Sequence, residues 1–187
     1  KGTGAGPLGV PLTAIVQAPW TRAEAAEAEE ALLREDLGAT ALHRAGDPVD
    51  AMAVHLYPVD TTKGPDARAE SIRAAQRVLN KLGVNRPLWD TEVNYGDRLA
   101  GLPQVVPEPQ TAATYVARTY LDSATLGIAR TYWYGWDLSV LGIDMVDANG
   151  ITPAGTAFVT VRGWLTGARP AGCWDAGGIR RCAFTAA

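Results

Sequence analysis

Arg86-Pro87-Leu88-Trp89-Asp90-Thr91-Glu92-Val93-Asn94-Tyr95-Gly96 is the stretch on which the fold turns. Its first seven residues read as a strand, with the proline at the entry, where a missing N–H is tolerated. Helical patterns stand on both sides of it. Upstream, Asp66 can cap a helix whose Ile72, Ala75, Leu79 and Leu82 fall on one stripe, closed by Gly83. Downstream, a loop carrying Pro103, Pro107 and Pro109 leads into a second helical run over 111–126, stopped by Gly127.

The same alternation extends outward in both directions. Residues 11–17 form a short β-compatible run, followed by the capping box Thr21-Arg22-Ala23-Glu24 and an alanine- and glutamate-rich helix ending at Gly38. An apolar run over 49–57 ends in His55-Leu56-Tyr57-Pro58. Residues 128–136, rich in Thr, Tyr and Trp, read as a fourth strand. Thr152-Pro153 then opens a last helix, a cap followed by proline at the first helical position, which closes at Gly167. Four strand–helix units predict an α/β protein with a parallel sheet. Four units are half of a (β/α)8 barrel or a small open sheet. No G-x-G-x-x-G or phosphate-binding loop lies between strand and helix, which argues against a nucleotide.

The chain of 187 residues is too short for a complete barrel of about 250 residues, and compact barrels need about 200. Its apolar fraction of 47% is enough for a core. Twenty acidic against 17 basic side chains, with no basic run, argue against a nucleic-acid binder or a membrane-surface patch. No apolar run approaches the ~20 residues of a membrane span. The two cysteines, Cys173 and Cys182, flank Gly177-Gly178 and read as facing positions of a hairpin. Such a pair suggests a disulfide in an exported or cell-envelope protein, with two reduced buried thiols as the alternative. No histidine lies near them to complete a metal site. The expected organisation is thus one α/β unit over 1–168 and a short β-extension over 169–187, with no cofactor and no metal.

In parallel α/β folds the functional side chains stand at the C-terminal ends of strands. Three of those ends are loaded: His55-Leu56-Tyr57; Trp89-Asp90-Thr91-Glu92-Val93-Asn94-Tyr95; and Tyr132-Trp133-Tyr134-Gly135-Trp136-Asp137. Aromatic faces beside a carboxylate suit a sugar, and Glu92 in that setting can stabilise or attack an anomeric carbon. His55 and Tyr57 are placed to orient it. Trp89, Tyr95, Trp133 and Trp136 are the candidate sugar-binding aromatics, although Trp133 and Trp136, three apart, cannot both face inward along a regular strand. Asp90, two residues from Glu92, is expected on the same face and so offers itself as a second acid, with Asp137 as another. Trp164 is expected in the core and Trp174 against the disulfide. His43 carries no signal, and Asp144 and Asp147 are expected to be solvated.

The succession Asp50-Ala51-Met52-Ala53-Val54-His55-Leu56-Tyr57-Pro58, then Arg86 to Gly96 as quoted above, then Arg130-Thr131-Tyr132-Trp133-Tyr134-Gly135-Trp136-Asp137, resembles strands six, seven and eight of clan-A retaining glycoside hydrolases. The flavour is that of actinobacterial, family-thirty-nine-like secreted proteins, and the resemblance covers roughly residues 49–184. It implies the C-terminal half of a (β/α)8 barrel. Glu92 then falls on the nucleophile in its Trp-x-Thr-Glu setting, His55 and Tyr57 on the residues bordering it, and Trp133 or Trp136 on a sugar platform. The clan's acid/base glutamate follows an asparagine at strand four, and this sequence contains no Asn-Glu pair. That residue is expected upstream, on an N-terminal barrel half or a second copy of the chain. The alternative function is a non-catalytic carbohydrate-binding or cell-surface module that kept the aromatic platform.

Overall fold

The computed structural model describes residues 13–17, 50–58, 62–81, 83–98, 105–137 and 140–186, with 13–17 as backbone. The helix expected over 21–38, and His43, lie outside the described residues. Four strands, β1 (Thr13–Gln17), β2 (Ala51–His55), β3 (Leu88–Val93) and β4 (Ile128–Trp133), form one sheet in sequential order, every pair parallel. Parallel neighbours need crossovers. Helix α1 (Pro65–Lys81) connects β2 to β3, and α2 (Pro109–Thr125) connects β3 to β4. After β4 come a two-residue antiparallel ribbon, β5 (Val146–Asp147) and β6 (Gly150–Ile151), and then α3 (Pro153–Leu165). The ribbon was not legible in the sequence.

Two apolar clusters bind the helices to the sheet. Met52, Val54, Leu56, Leu88 and Ile128 meet Ile72 and Leu79 of α1. Further along, Val93 and Tyr95 meet Ala112 and Val116 of α2, Ala154 of α3, and Ile143 and Met145 of the preceding loop. On β4, whose register shifts between Ile128 and Arg130, the opposite sheet face carries the exposed Arg130 and Tyr132.

The helix ends follow local chemistry. Thr152 caps α3, its hydroxyl accepting from the Gly155 N–H at 3.1 Å, with Pro153 next, as the sequence predicts. Asp66 is not the cap of α1: Pro65 already lies in the helix, and Asp66 in the first turn reaches across to Arg118 of α2 at 2.7 Å. Just past β3, Gly96 has φ +81°, and a Cβ there would run into the Val105 carbonyl, so close backbone packing requires glycine.

A hairpin of β7 (Ala168–Ala176) and β8 (Ile179–Ala186) closes the chain. Cys173 pairs in register with Cys182 and the two are disulfide-bonded; Gly177 and Gly178 form the turn, both at positive φ. Two expectations need correction. Trp164 is 62% exposed in the last turn of α3, because α3 turns Ala154, Gly155 and Val161 inward and ends beyond the core. Trp174 is half-exposed and paired with Arg181, on the opposite hairpin face from Cys173, as strand alternation requires. Among the described residues no helix is long and apolar enough to cross a membrane.

Candidate active site

The site begins with a break in the alternation of β3. Its buried positions are Leu88, Asp90 and Val93, and its half-buried ones Trp89, Thr91 and Glu92. A regular strand would put Asp90 and Glu92 on one face. The register shows why they part. Val54 pairs with Asp90, but the next residue of β2, His55, pairs with Glu92. On the other side, Thr131 pairs with Asp90 and Trp133 with Val93. Between Asp90 and Val93, β3 thus holds one residue more than either neighbour, a β-bulge at Thr91, while β4 has an extra residue of its own earlier, between Ile128 and Arg130. Beyond Thr91 the parity of β3 reverses: Val93 and Tyr95 continue the helix-facing row of Leu88 and Asp90, while Glu92 joins Trp89 on the opposite face.

That reversal overturns Asp90 as a second acid. It is fully buried beneath the helices, and its Oδ2 accepts from Arg68 Nε at 3.1 Å and Nη2 at 2.6 Å. Burial pushes its carboxyl up, opposed by Arg68 and by the Leu56 N–H. Asp137 is exposed in the loop after β4.

On β2, Met52, Val54 and Leu56 face the helices, so His55 and Tyr57 emerge on the face of Glu92. His55 Nδ1 lies 3.2 Å from Glu92 Oε2, and the Tyr57 hydroxyl donates to the same oxygen at 3.2 Å. The phenol of Tyr57 is pushed well up, first by burial and then by the Glu92 charge, with Tyr134 and Asp90 adding to it. Both effects favour the protonated phenol, the form that donates to Glu92. Both contacts use Oε2.

The predicted aromatics divide between the two faces. Trp89 shares the face of Glu92, and its ring carries the Arg130 guanidinium at 4.7 Å, a cation–π contact. Tyr95 is not a substrate contact: it is 1% exposed on the helix side, its hydroxyl 2.6 Å from Thr119 of α2, because the bulge moved its parity. Burial pushes that phenol up to about 12. Trp133 is also helix-facing. It packs on the core beside Tyr95, ring centroids 6.0 Å apart, with its Nε1 donating to the Ile143 carbonyl at 3.4 Å. Trp136 is 45% exposed and sets its ring edgewise on Phe158 of α3, centroids 5.3 Å apart. Together with Trp133, Tyr120 and Leu165 it lines a groove of about 380 Å³ beside α3 that does not include Glu92.

Sequence reasoning passed over Tyr132 and Tyr134. They alternate with the helix-facing Thr131 and Trp133, so they stand on the Glu92 face, 45% and 39% exposed. Alternation counted from the helix-facing Ile128 would put both on the helix side; an extra residue in β4 between Ile128 and Arg130 reverses it, so no local signal was available. Asn94 was also missed. Fully buried, it donates to the carbonyls of Tyr134 at 2.6 Å and Ile143 at 2.9 Å, while its own oxygen accepts from the Tyr95 N–H at 2.6 Å. It therefore ties the end of β3 to the end of β4. Asp144, expected to be solvated, is instead paired with Arg98 at 2.5 Å. Among the described residues, no group of three or more His, Cys, Asp or Glu side chains is placed to hold a metal ion.

No protein-family model matches the chain, and no curated protein sequence does. Solved structures do. The chain is similar to a family 39 glycoside hydrolase from Bacteroides cellulosilyticus WH2 (TM-score 0.55, 16% identity, covering 80% of this chain and 34% of that one). It is also similar to the xylanase Xyn10A of Cellvibrio japonicus (TM-score 0.53, 9% identity, 82% and 50%). Xylanase 10B of Thermotoga petrophila RKU-1 gives a TM-score of 0.51 at 16% identity, covering 84% and 47%. An endo-β-1,3-glucanase of family GH128 from Amycolatopsis mediterranei reaches 21% identity and a TM-score of 0.47; the chain spans 48% of its length. These neighbours are clan-A (β/α)8 glycoside hydrolases. The fold of this chain is thus an α/β fold like that of the family 39 enzyme and the two xylanases, and the chain spans half or less of each of those three.

Proposed function

We propose that this chain carries the nucleophile half of a retaining glycosidase, with Glu92 as the attacking carboxylate. The observation that carries the reading is the convergence of His55 Nδ1 and the Tyr57 hydroxyl on one Glu92 oxygen, each at 3.2 Å. Two groups on the neighbouring strand hold the carboxylate, and Oε1 is the oxygen presented to substrate. In the first step Oε1 bonds to the anomeric carbon, and the bond from that carbon to the leaving oxygen breaks. A general acid gives the leaving oxygen its proton. Water then attacks the anomeric carbon of the glycosyl–enzyme, the same group taking up its proton, while the bond to Glu92 Oε1 breaks and frees the carboxylate, and the configuration is retained. Two carboxyl groups about 5–5.5 Å apart are needed. With Asp90 turned to the helices, we place the acid on a complementing barrel half, from preceding residues or a second copy. The exposed inward row Arg130, Tyr132 and Tyr134 supports such a partner, since these side chains would line the interior of a closed barrel. Tyr132 and Tyr134 give a sugar aromatic faces to stack on. The disulfide favours an exported or cell-envelope protein.

Incubation of the full chain with a panel of aryl glycosides, and with fluorosugar inactivators that trap a glycosyl–enzyme, tests this. Labelling on Glu92, and loss of at least a thousandfold in kcat for Glu92→Gln, are expected. Sugar binding with neither turnover nor label identifies a carbohydrate-binding module instead.

A further inference from the structure

An inserted residue interrupts the ladder and leaves backbone groups of the adjoining strand to find other partners. At the bulge of β3, two side chains take up that role. The Thr91 hydroxyl donates to the Val54 carbonyl at 3.3 Å, and Asp90 Oδ1 accepts from the Leu56 N–H at 3.0 Å. Those two backbone groups lie on either side of His55, and Leu56 stands between His55 and Tyr57. The dipeptide that forms the bulge therefore also ties down the segment bearing both groups that touch Glu92.

We propose that Asp90 and Thr91 are positioning residues for Glu92. They hold the bulge and residues 54–57 in one register, and so aim the carboxylate at the His55–Tyr57 pair. The inference deepens the reading of Glu92 as the reacting group and rests on it for its catalytic meaning. Asp90 works from the far side of the sheet. Its second oxygen is fixed by Arg68 of α1, whose Nη2 also donates to Ser123 at 2.9 Å and whose Nη1 donates to the Thr119 carbonyl at 3.3 Å. Arg68 is 1% exposed and Asp90 0%, so neither touches a substrate; both act through backbone. Two helices thereby anchor the geometry of a side chain on the opposite face. Without the extra residue, Glu92 would fall on the face of Asp90, among the helices.

Thr91→Val keeps the branched shape and removes the hydroxyl, while Thr91→Ser keeps the hydroxyl. The chain has two histidines, so the His55 ring resonances of the full chain are assignable by comparison with His43→Gln. Glu92→Gln shifts them by removing the contact. Thr91→Val is expected to move them in the same direction, Thr91→Ser to return them, and Thr91→Val added to Glu92→Gln to move them little further. With an aryl glycoside, Thr91→Val lowers kcat roughly ten- to a hundredfold and leaves KM within about twofold. His55 signals that stay at their original positions in Thr91→Val, or no return in Thr91→Ser, overturn the proposal. In the unaltered chain the Leu56 amide exchanges with solvent about a hundredfold or more slower than a free amide; unprotected exchange also overturns it. The expected His55 pattern in a protein that cleaves no glycoside preserves the positioning geometry and overturns the glycosidase reading alone.

Discussion

Arg68 and Asp90 form an ion pair with almost no exposure, and removing one partner leaves the other's charge buried without its counter-ion. Breaking such a pair costs about 3–5 kcal/mol, whereas replacing both members by apolar residues of similar size is often close to neutral. Asp90→Ala is therefore expected to lower stability by about 3–5 kcal/mol in urea unfolding, and Arg68→Met with Asp90→Leu by clearly less. The double variant still lacks an acceptor for the Leu56 N–H, so a residual cost of about 1–3 kcal/mol remains. Equal losses in the single and double variants would contradict the pairing. The same residues explain one limit of sequence reading. Trp89, Asp90, Thr91 and Glu92 were recognisable as a loaded strand end, but their faces were not, since one inserted residue reverses every side chain that follows.

At the scale of elements, the terminal hairpin is fastened to α2 rather than to the sheet. Arg180 of β8 donates to Asp175 of β7 at 2.7 Å and to the buried carboxylate of Asp122 in α2 at 3.0 Å. Arg118 approaches the other oxygen of Asp122 at 3.4 Å. The disulfide spans a sequence separation of 9 and, through loop closure in the unfolded chain, contributes about 2.5 kcal/mol. Replacing Cys173 and Cys182 by serine is expected to raise hydrogen exchange across 168–186 while β2, β3 and β4 keep their protection. A collapse of protection in the sheet would show that the hairpin is part of the central core. This element was readable beforehand because cysteines, glycines and spacing all act locally. Its docking on α2 was not, because Asp122 and Arg180 are 58 residues apart.

For the whole molecule, burial of tyrosines links stability to alkaline pH. Tyr57, Tyr95 and Tyr120 are all raised above the unfolded value of 10.0, each first by burial, Tyr95 to about 12. Above pH 10.0 the unfolded chain loses phenolic protons that the folded chain keeps. Stability from this source is complete below that value and is lost as pH rises through the folded values. Urea midpoints should fall steadily above it, and Tyr95→Phe should reduce the slope by about one proton, roughly 1.4 kcal/mol per pH unit. An unchanged slope would mean that Tyr95 titrates normally.

The alternation of strands and helices, the hairpin with its facing cysteines, the Thr152-Pro153 helix start and the strand-end position of Glu92 were all determined by the sequence alone. Each depends on neighbours a few residues apart, through periodicity, capping or turn chemistry. Tertiary structure alone decided which side chains share a face. The bulge at Thr91 sent Tyr95 into the core and parted Glu92 from Asp90, and the extra residue of β4 between Ile128 and Arg130 put Tyr132 and Tyr134, rather than Trp133, on the side of Glu92. Register is a property of paired strands, set by hydrogen bonds between segments 34 or more residues apart, and no local pattern in one strand records it.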